Sequence, residues 1–160
     1  MDPAELGRLL DRHARVLELY ARQWCHQPED IVQEAFVNLA RQAPQPTQVV
    51  SWLYRAVRNG ALNAARDAKC RRDHEAEASR RAAWFALDSA AELDAQTATE
   101  ALSHLPLEQR EVIVAHVWGG LSFAEIGELI EASASTAHRW YLAGLTTLRE
   151  RLGVTCPPPK

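Results

Sequence analysis

Apolar residues recur along most of this chain at intervals of three and four, the spacing that lines one face of an α-helix. Near the N-terminus Leu6, Leu9, Leu10, Val16, Leu17 and Tyr20 form one such stripe. His26-Gln27-Pro28 interrupts it, and a second stripe runs through Ile31, Val32, Ala35, Phe36 and Leu39. Pro44 and Pro46 punctuate the next connection. A long third helix is expected from near Thr47 to Arg72, with Val49, Trp52, Leu53, Ala56, Val57 and Ala61 inward. Its other side carries Arg55, Arg58, Asn59, Asn63 and Arg66. Residues 73–93 are acidic and alanine-rich, with Trp84, Phe85 and Leu87 as their large apolar group. Alanine favours helix, so this stretch reads as a linker with some residual structure.

Periodicity returns from about Asp94. A short helix reaches His104, and a helix opened by Pro106 carries Val112, Ile113 and Val117 to a Gly119-Gly120 turn. Ser122 and Glu125 have the S-x-x-E spacing of a capping box, and Phe123, Ile126, Leu129 and Ile130 follow on one face. Ser133 or Ser135 can cap the next helix, whose stripe is Ala137, Tyr141, Leu145, Leu148 and Leu152. Two amphipathic helices around a tight connection form a helix-turn-helix, which commonly lays its second helix in the major groove of DNA. Thr136, His138, Arg139 and, near the edge, Trp140 lie opposite the stripe and are free to meet a ligand. A helical hairpin without a DNA role fits the same periodicity. The tail CPPPK cannot be helical. The expected fold is therefore all-α, in two small helical domains: three helices over 1–72, an acidic linker over 73–93, four helices with the helix-turn-helix over 94–153, and a mobile tail over 154–160.

Composition excludes several alternatives. The chain has 160 residues, 47% hydrophobic and 24% charged, as a soluble globular protein does. No apolar run approaches a membrane span, and the charged, amphipathic N-terminus is not a signal peptide, which points to the cytoplasm. Cys25, Cys70 and Cys156 are odd in number and widely spaced, suggesting neither a disulfide framework nor a zinc ribbon. Cys25 beside His26 reads as the end of a helix rather than a metal site. No phosphate-cradling loop, nucleophile elbow or H-E-x-x-H occurs, so no enzyme, metal or cofactor is expected.

The net charge of −3 is unusual for a nucleic-acid binder, but charge is unevenly distributed. Arg55, Arg58, Arg66, Lys69, Arg71 and Arg72 stand against Asp67 alone between Trp52 and Arg72; between Asp73 and Glu100 seven acids stand against Arg80 and Arg81. Salt screens charges beyond about 8–10 Å, so the local patch decides phosphate binding.

Three blocks in order resemble the extracytoplasmic-function group of bacterial sigma factors: EDIVQEAFVNLAR over Glu29 to Arg41, SWLYRAVRNGALNAARDAKCRR over Ser51 to Arg72, and LSHLPLEQREVIVAHVWGGLSFAEIGELI over Leu102 to Ile130. The resemblance implies a region-two domain, an acidic linker and a region-four helix-turn-helix domain. It implies core RNA polymerase and promoter DNA as partners, with an anti-sigma protein as a possible third.

Residue roles follow from the same resemblance. Asp30, Gln33, Glu34, Asn38 and Arg41 match the outward positions of the helix that docks on polymerase. Arg55, Arg58, Asn59, Asn63, Arg66, Lys69, Arg71 and Arg72 match the part that melts and reads the minus-ten element. Asn59 holds the pocket position there, and its amide can both donate and accept. Gln42 to Gln48 matches the base-capturing loop but is short. Trp52, in the apolar stripe, is expected in the core. Ser135, Thr136, His138, Arg139 and Trp140 fall where the minus-thirty-five element is read, and Arg139 suits a bidentate contact to guanine. The recognition helix carries fewer cations than the family usually has, so weak autonomous DNA binding is expected. The linker acids Asp73, Glu75, Glu77, Asp88, Glu92 and Asp94 would thread toward the polymerase active site or act as a solubilising spacer. The competing readings are a stand-alone helix-turn-helix regulator and a helical adaptor that binds only protein.

Overall fold

The computed structural model describes residues 2–72 and 100–152, with side chains described for all of these except 68–72. The expected linker with its acids, Cys156, the tail and the side chains of Lys69, Cys70, Arg71 and Arg72 lie outside that description. Every regular element among the described residues is helical.

The N-terminal unit is built from α1 (Pro3–Ala21), α2 (Pro28–Arg41) and α3 (Val49–Arg72). α1 and α2 each open on a proline, whose fixed φ and missing N–H suit the first helical turn. Glu5 in α1, and Glu29 and Asp30 in α2, favour the positive end of the helix dipole, and Arg41 favours the negative end of α2. Leu17, Tyr20, Val32, Phe36, Leu39, Leu53 and Val57 close the core between them. α2 and α3 approach closely at Gly60, where a β-carbon would lie 2.9 Å from the Ile31 side chain.

The C-terminal unit begins, within the described range, with a helical turn at 100–103, followed by α4 (Leu107–Ile113), a π-helical turn (Val114–Trp118), α5 (Phe123–Leu129) and α6 (Ala134–Leu152). The capping box forms as expected: the Glu125 N–H donates to Ser122 Oγ at 3.3 Å, and the Ser122 N–H donates to Glu125 Oε2 at 2.8 Å. Ser133, not Ser135, caps α6, its Oγ accepting from the Thr136 N–H at 3.1 Å. Between α5 and α6, Glu131 takes a positive φ of 58°. A β-carbon at Gly127 would come within 2.8 Å of the Ala132 carbonyl oxygen, so the turn needs glycine there.

The helix that begins at Leu107 departs from the expected regular stripe. It widens into the π-helical turn, with the Gly119 N–H donating to the Val114 carbonyl at 3.2 Å. Residues 111–115 are all buried, whereas Val117 is exposed. Leu10 and Leu152, counted in apolar stripes, are also exposed.

The two helical units expected from the sequence are both present and are in contact. They share one apolar core: Tyr20, Tyr54 and Val57 belong to the same buried cluster as Val112, Val114, Ala115, Leu121, Ile126 and Ala137. α1 packs on the π-helical turn, and α3 packs on α5. A second, smaller cluster of Leu102, Leu105 and Ile113, with Tyr141 and Leu148 against it, is confined to the C-terminal unit.

Candidate nucleic-acid and polymerase interfaces

The sequence-derived site residues fall on three surfaces. On α2, Asp30, Gln33, Glu34, Asn38 and Arg41 are all exposed, and Val37 beside them is 39% exposed. Their spacing gathers them on the face turned away from Val32, Ala35, Phe36 and Leu39. Such a polar face with an apolar member can fix the register of a protein interface.

Between α2 and α3 runs a groove of about 720 Å³. Ile31, Ala35, Trp52 and Ala56 contribute apolar lining, and Glu34, Asn38, Arg41 and Asn63 add polar groups. Two candidate sets thus meet in one groove: three of the α2 positions and one asparagine of α3. Trp52 is partly buried and packs on the core while lining the groove, in line with its place in the apolar stripe.

The basic side of α3 is divided. Asn59, Asn63 and Arg66 are exposed, with Arg66 Nη1 donating to Asn63 Oδ1 at 3.5 Å. These are groups that can hydrogen-bond a base edge and pair with a phosphate. Arg55 and Arg58 instead face the C-terminal unit. Arg55 lies 3.7 Å from Glu128, an exposed pair of little energetic weight. Arg58 Nε donates to Glu111 Oε1 at 2.7 Å, where the two side chains are only 19% and 5% exposed. The Tyr20 hydroxyl donates to the same oxygen at 2.6 Å. Burial works against the Arg58 charge, but the Glu111 carboxylate and its hydrogen bond outweigh it, and the guanidinium pKa is raised. Burial, and then Glu111, push the Tyr20 pKa well up, so the hydroxyl stays a donor.

Glu111 is the buried charged residue among the described residues. Sequence reading did not single it out. A glutamate in LEQREVIVAHV looks solvated, although the apolar run that follows Glu111 signals a helix buried on more than one side. Tyr54 falls beside the apolar stripe of α3, so periodicity alone does not mark it as core. It is fully buried, stacks edge-on against Tyr20 at 4.9 Å, and abuts Gly119.

On α6, Ser135, His138 and Arg139 are exposed, and Thr136 is half-buried in the Ser133 cap. His138 leans edge-on against Phe123 at 4.9 Å. Phe123 itself stacks on His116, whose Nδ1 lies 2.7 Å from the Leu121 carbonyl oxygen. Trp140 is partly buried and packs on the core. Ser135, Thr136, His138 and Arg139 thus occupy the first two turns of a helix whose backbone N–H groups point outward at its start. Among the described residues no three His, Cys, Asp or Glu side chains converge as metal ligands, and no helix is long and apolar enough to cross a membrane.

The family description "Sigma-70 region 2" matches residues 9–71, and "Sigma-70, region 4" matches residues 95–148. No curated protein sequence matches the chain. Among solved structures, the sigma factor RpoE, co-crystallised with the anti-sigma factor NepR from Bartonella quintana, superposes with a TM-score of 0.68 at 19% identity, over 95% of this chain and 99% of that one. CnrH, in complex with the cytosolic domain of CnrY, superposes with a TM-score of 0.61 at 21% identity, over 97% of this chain and 92% of that one. These two likenesses concern the fold. With a region 2 and a region 4 matched in order over its two helical units, the chain belongs to the sigma-70 family of RNA polymerase sigma factors, in its extracytoplasmic-function group.

Proposed function

We propose that this alternative sigma factor divides its work among the three surfaces. The outward face of α2, with Asp30, Gln33, Glu34, Asn38 and Arg41, docks on core polymerase. Asn59, Asn63 and Arg66, with Arg55, Arg58, Lys69, Arg71 and Arg72, hold the unwound strand of the minus-ten element. Ser135, Thr136, His138 and Arg139 read the upstream duplex, with Trp140 supporting α6 from the core side. The boundaries near residues 72 and 94, and action in the cytoplasm, belong to the same reading.

The observation that supports it best is the exposed row of Asn59, Asn63 and Arg66 on α3. A captured base needs hydrogen-bonding groups at its edge and a cation at its backbone, and that row supplies both. An inhibitory protein partner is part of the proposal, since RpoE and CnrH were each determined with a protein bound.

Co-purification with core RNA polymerase, followed by run-off transcription on genomic fragments, tests the reading. Stoichiometric association and discrete promoter-dependent transcripts are expected. A chain that fails to associate with core enzyme, or that associates without directing transcription, overturns it.

A further inference from the structure

The outer face of α6 changes character along its length. Ser135, His138 and Arg139 are exposed over its first two turns, and Leu142, Ala143 and Thr146 continue the same face at helical spacing. Leu142 is 48% exposed. Thr146 spends its hydroxyl on the Leu142 carbonyl oxygen, donating to it at 3.0 Å, which leaves its methyl group for contact. No charged residue stands between Arg139 and Arg149. The opposite side of α6 fixes this orientation. Ala137 and Gly144 are buried, and a β-carbon on Gly144 would lie 2.6 Å from the Ile113 side chain. Tyr141 and Leu148 pack against Leu102, Leu105 and Ile113. Turning Leu142 inward would break these contacts.

Resting on the role proposed for Ser135, Thr136, His138 and Arg139, we infer that Leu142 is a specificity-determining residue that reads the 5-methyl group of a thymine in the upstream duplex. Of the four bases only thymine presents a methyl group in the major groove, and apolar side chains are its partners there. A single exposed leucine on a protein surface needs no account in itself. This one continues the line of Arg139 on the helix proposed to enter the groove, with Ala143 and the Thr146 methyl beside it and no cation to compete for the position. Leu142 stands three residues past Arg139, about 4.5 Å along the helix axis, against about 3.4 Å between successive base pairs. The thymine therefore belongs within about one or two base pairs of the guanine that Arg139 suits. A methyl contact discriminates between bases without neutralising a phosphate, which fits a recognition helix with few cations.

The test uses the full chain bound to core polymerase and a promoter recovered by run-off transcription, in which each thymine of the upstream element, on either strand, is replaced in turn by deoxyuridine. That replacement keeps every hydrogen-bonding group of the base and removes only the methyl. Competition binding against the unsubstituted promoter is measured for wild type, Leu142→Ala and Leu142→Met. Wild type is expected to lose about fourfold in affinity at one thymine, the worth of one buried methyl group. Leu142→Ala should bind the substituted and unsubstituted promoters equally, and Leu142→Met should keep most of the difference. Both replacements are good helix formers at an exposed position, and circular dichroism checks that they fold. Wild-type protein indifferent to every replacement overturns the methyl contact. A difference that persists undiminished in Leu142→Ala also overturns it, because the methyl is then read by another side chain or through duplex shape. An upstream element without an A·T pair does the same. The underlying role of α6 fails separately, when wild type binds native and scrambled upstream sequences equally.

Discussion

The hydroxyl of Tyr54 in the N-terminal unit lies 2.5 Å from the point where a β-carbon would stand on Gly119 of the C-terminal unit. The Ala115 carbonyl oxygen is as near to that point. Glycine at this position is therefore a condition of contact between the units, distinct from Gly120, whose φ of 68° serves the turn. Gly119→Ala adds a methyl group to a filled site and should cost about 1–3 kcal/mol. Urea unfolding measures it. An alanine variant as stable as wild type would show that the units do not pack this way in solution.

Two buried tyrosines in edge contact should respond in opposite senses. The Tyr20 hydroxyl donates to a buried carboxylate, whereas the Tyr54 hydroxyl has no hydrogen-bond partner. A hydrogen bond to a charged group is worth about 1.5–3 kcal/mol, whereas removing an unsatisfied hydroxyl is neutral or stabilising. Tyr20→Phe should therefore destabilise and Tyr54→Phe should not. Burial raises both phenol pKa values, with Glu111 adding to the effect at Tyr20. Their contribution to stability is full below the unfolded value of about 10 and is lost as pH rises toward the higher folded values. Tyr54→Phe should accordingly flatten the alkaline fall in stability without a loss at neutral pH, which urea titrations across the alkaline range measure.

These two cases show where the sequence was legible. The three N-terminal helices, the capping box and the helix-turn-helix could be read because each depends on residues three or four apart. The contact between Arg58 and Glu111 spans 53 positions, and no local period encodes it. On α3, Arg58 looks the same as its exposed neighbours Asn59 and Arg55, and only the partner surface distinguishes them. Tyr54 lies outside the single stripe because α3 is buried on two sides. The π-helical turn has no periodic signature either, although the unbroken run Val112 to Ala115 hints that a regular amphipathic helix cannot fit there.

Glu125 should give the protein an acid-sensitive joint. Hydrogen bonds from the Ser51 hydroxyl, and then from the Ser122 hydroxyl and N–H, hold its carboxyl pKa below the usual glutamate value. A depressed folded value means that the contribution is complete above the unfolded pKa of about 4.3 and is lost as pH falls through the lower folded one. The stability gap between wild type and Glu125→Gln should be constant near neutrality and shrink at acid pH. Ser51→Ala should shrink it in part by removing the largest of the three causes. A gap independent of pH would show that the carboxylate is not held by these donors.

Asn59 carries the clearest test of strand capture. It is exposed, so Asn59→Ala should leave folding and polymerase association unchanged. Loss of its amide removes both a donor and an acceptor from the proposed base site. Permanganate footprinting of a promoter complex should then lose the unpaired-thymine signal. An undiminished signal would move base capture away from this position.

The upstream element tests the other end of the chain. Arg139 is exposed near the start of α6, while the remaining arginines of that helix, Arg149 and Arg151, lie in its last turn. A recognition helix with one cation near its start gains little from phosphate neutralisation, so its direct grip on DNA should be weak and its salt dependence shallow. Discrimination then rests on base contact, and a bidentate arginine–guanine pair is worth about 1–3 kcal/mol. Arg139→Ala should reduce the preference for the native upstream sequence over a scrambled one by the corresponding factor, while transcription from the scrambled template stays the same. Tethering to polymerase supplies the effective concentration that makes so sparse a contact sufficient. Competition transcription on paired templates measures the ratio directly. If the wild-type protein transcribes both templates equally, α6 does not read sequence and the upstream contact is one of position alone.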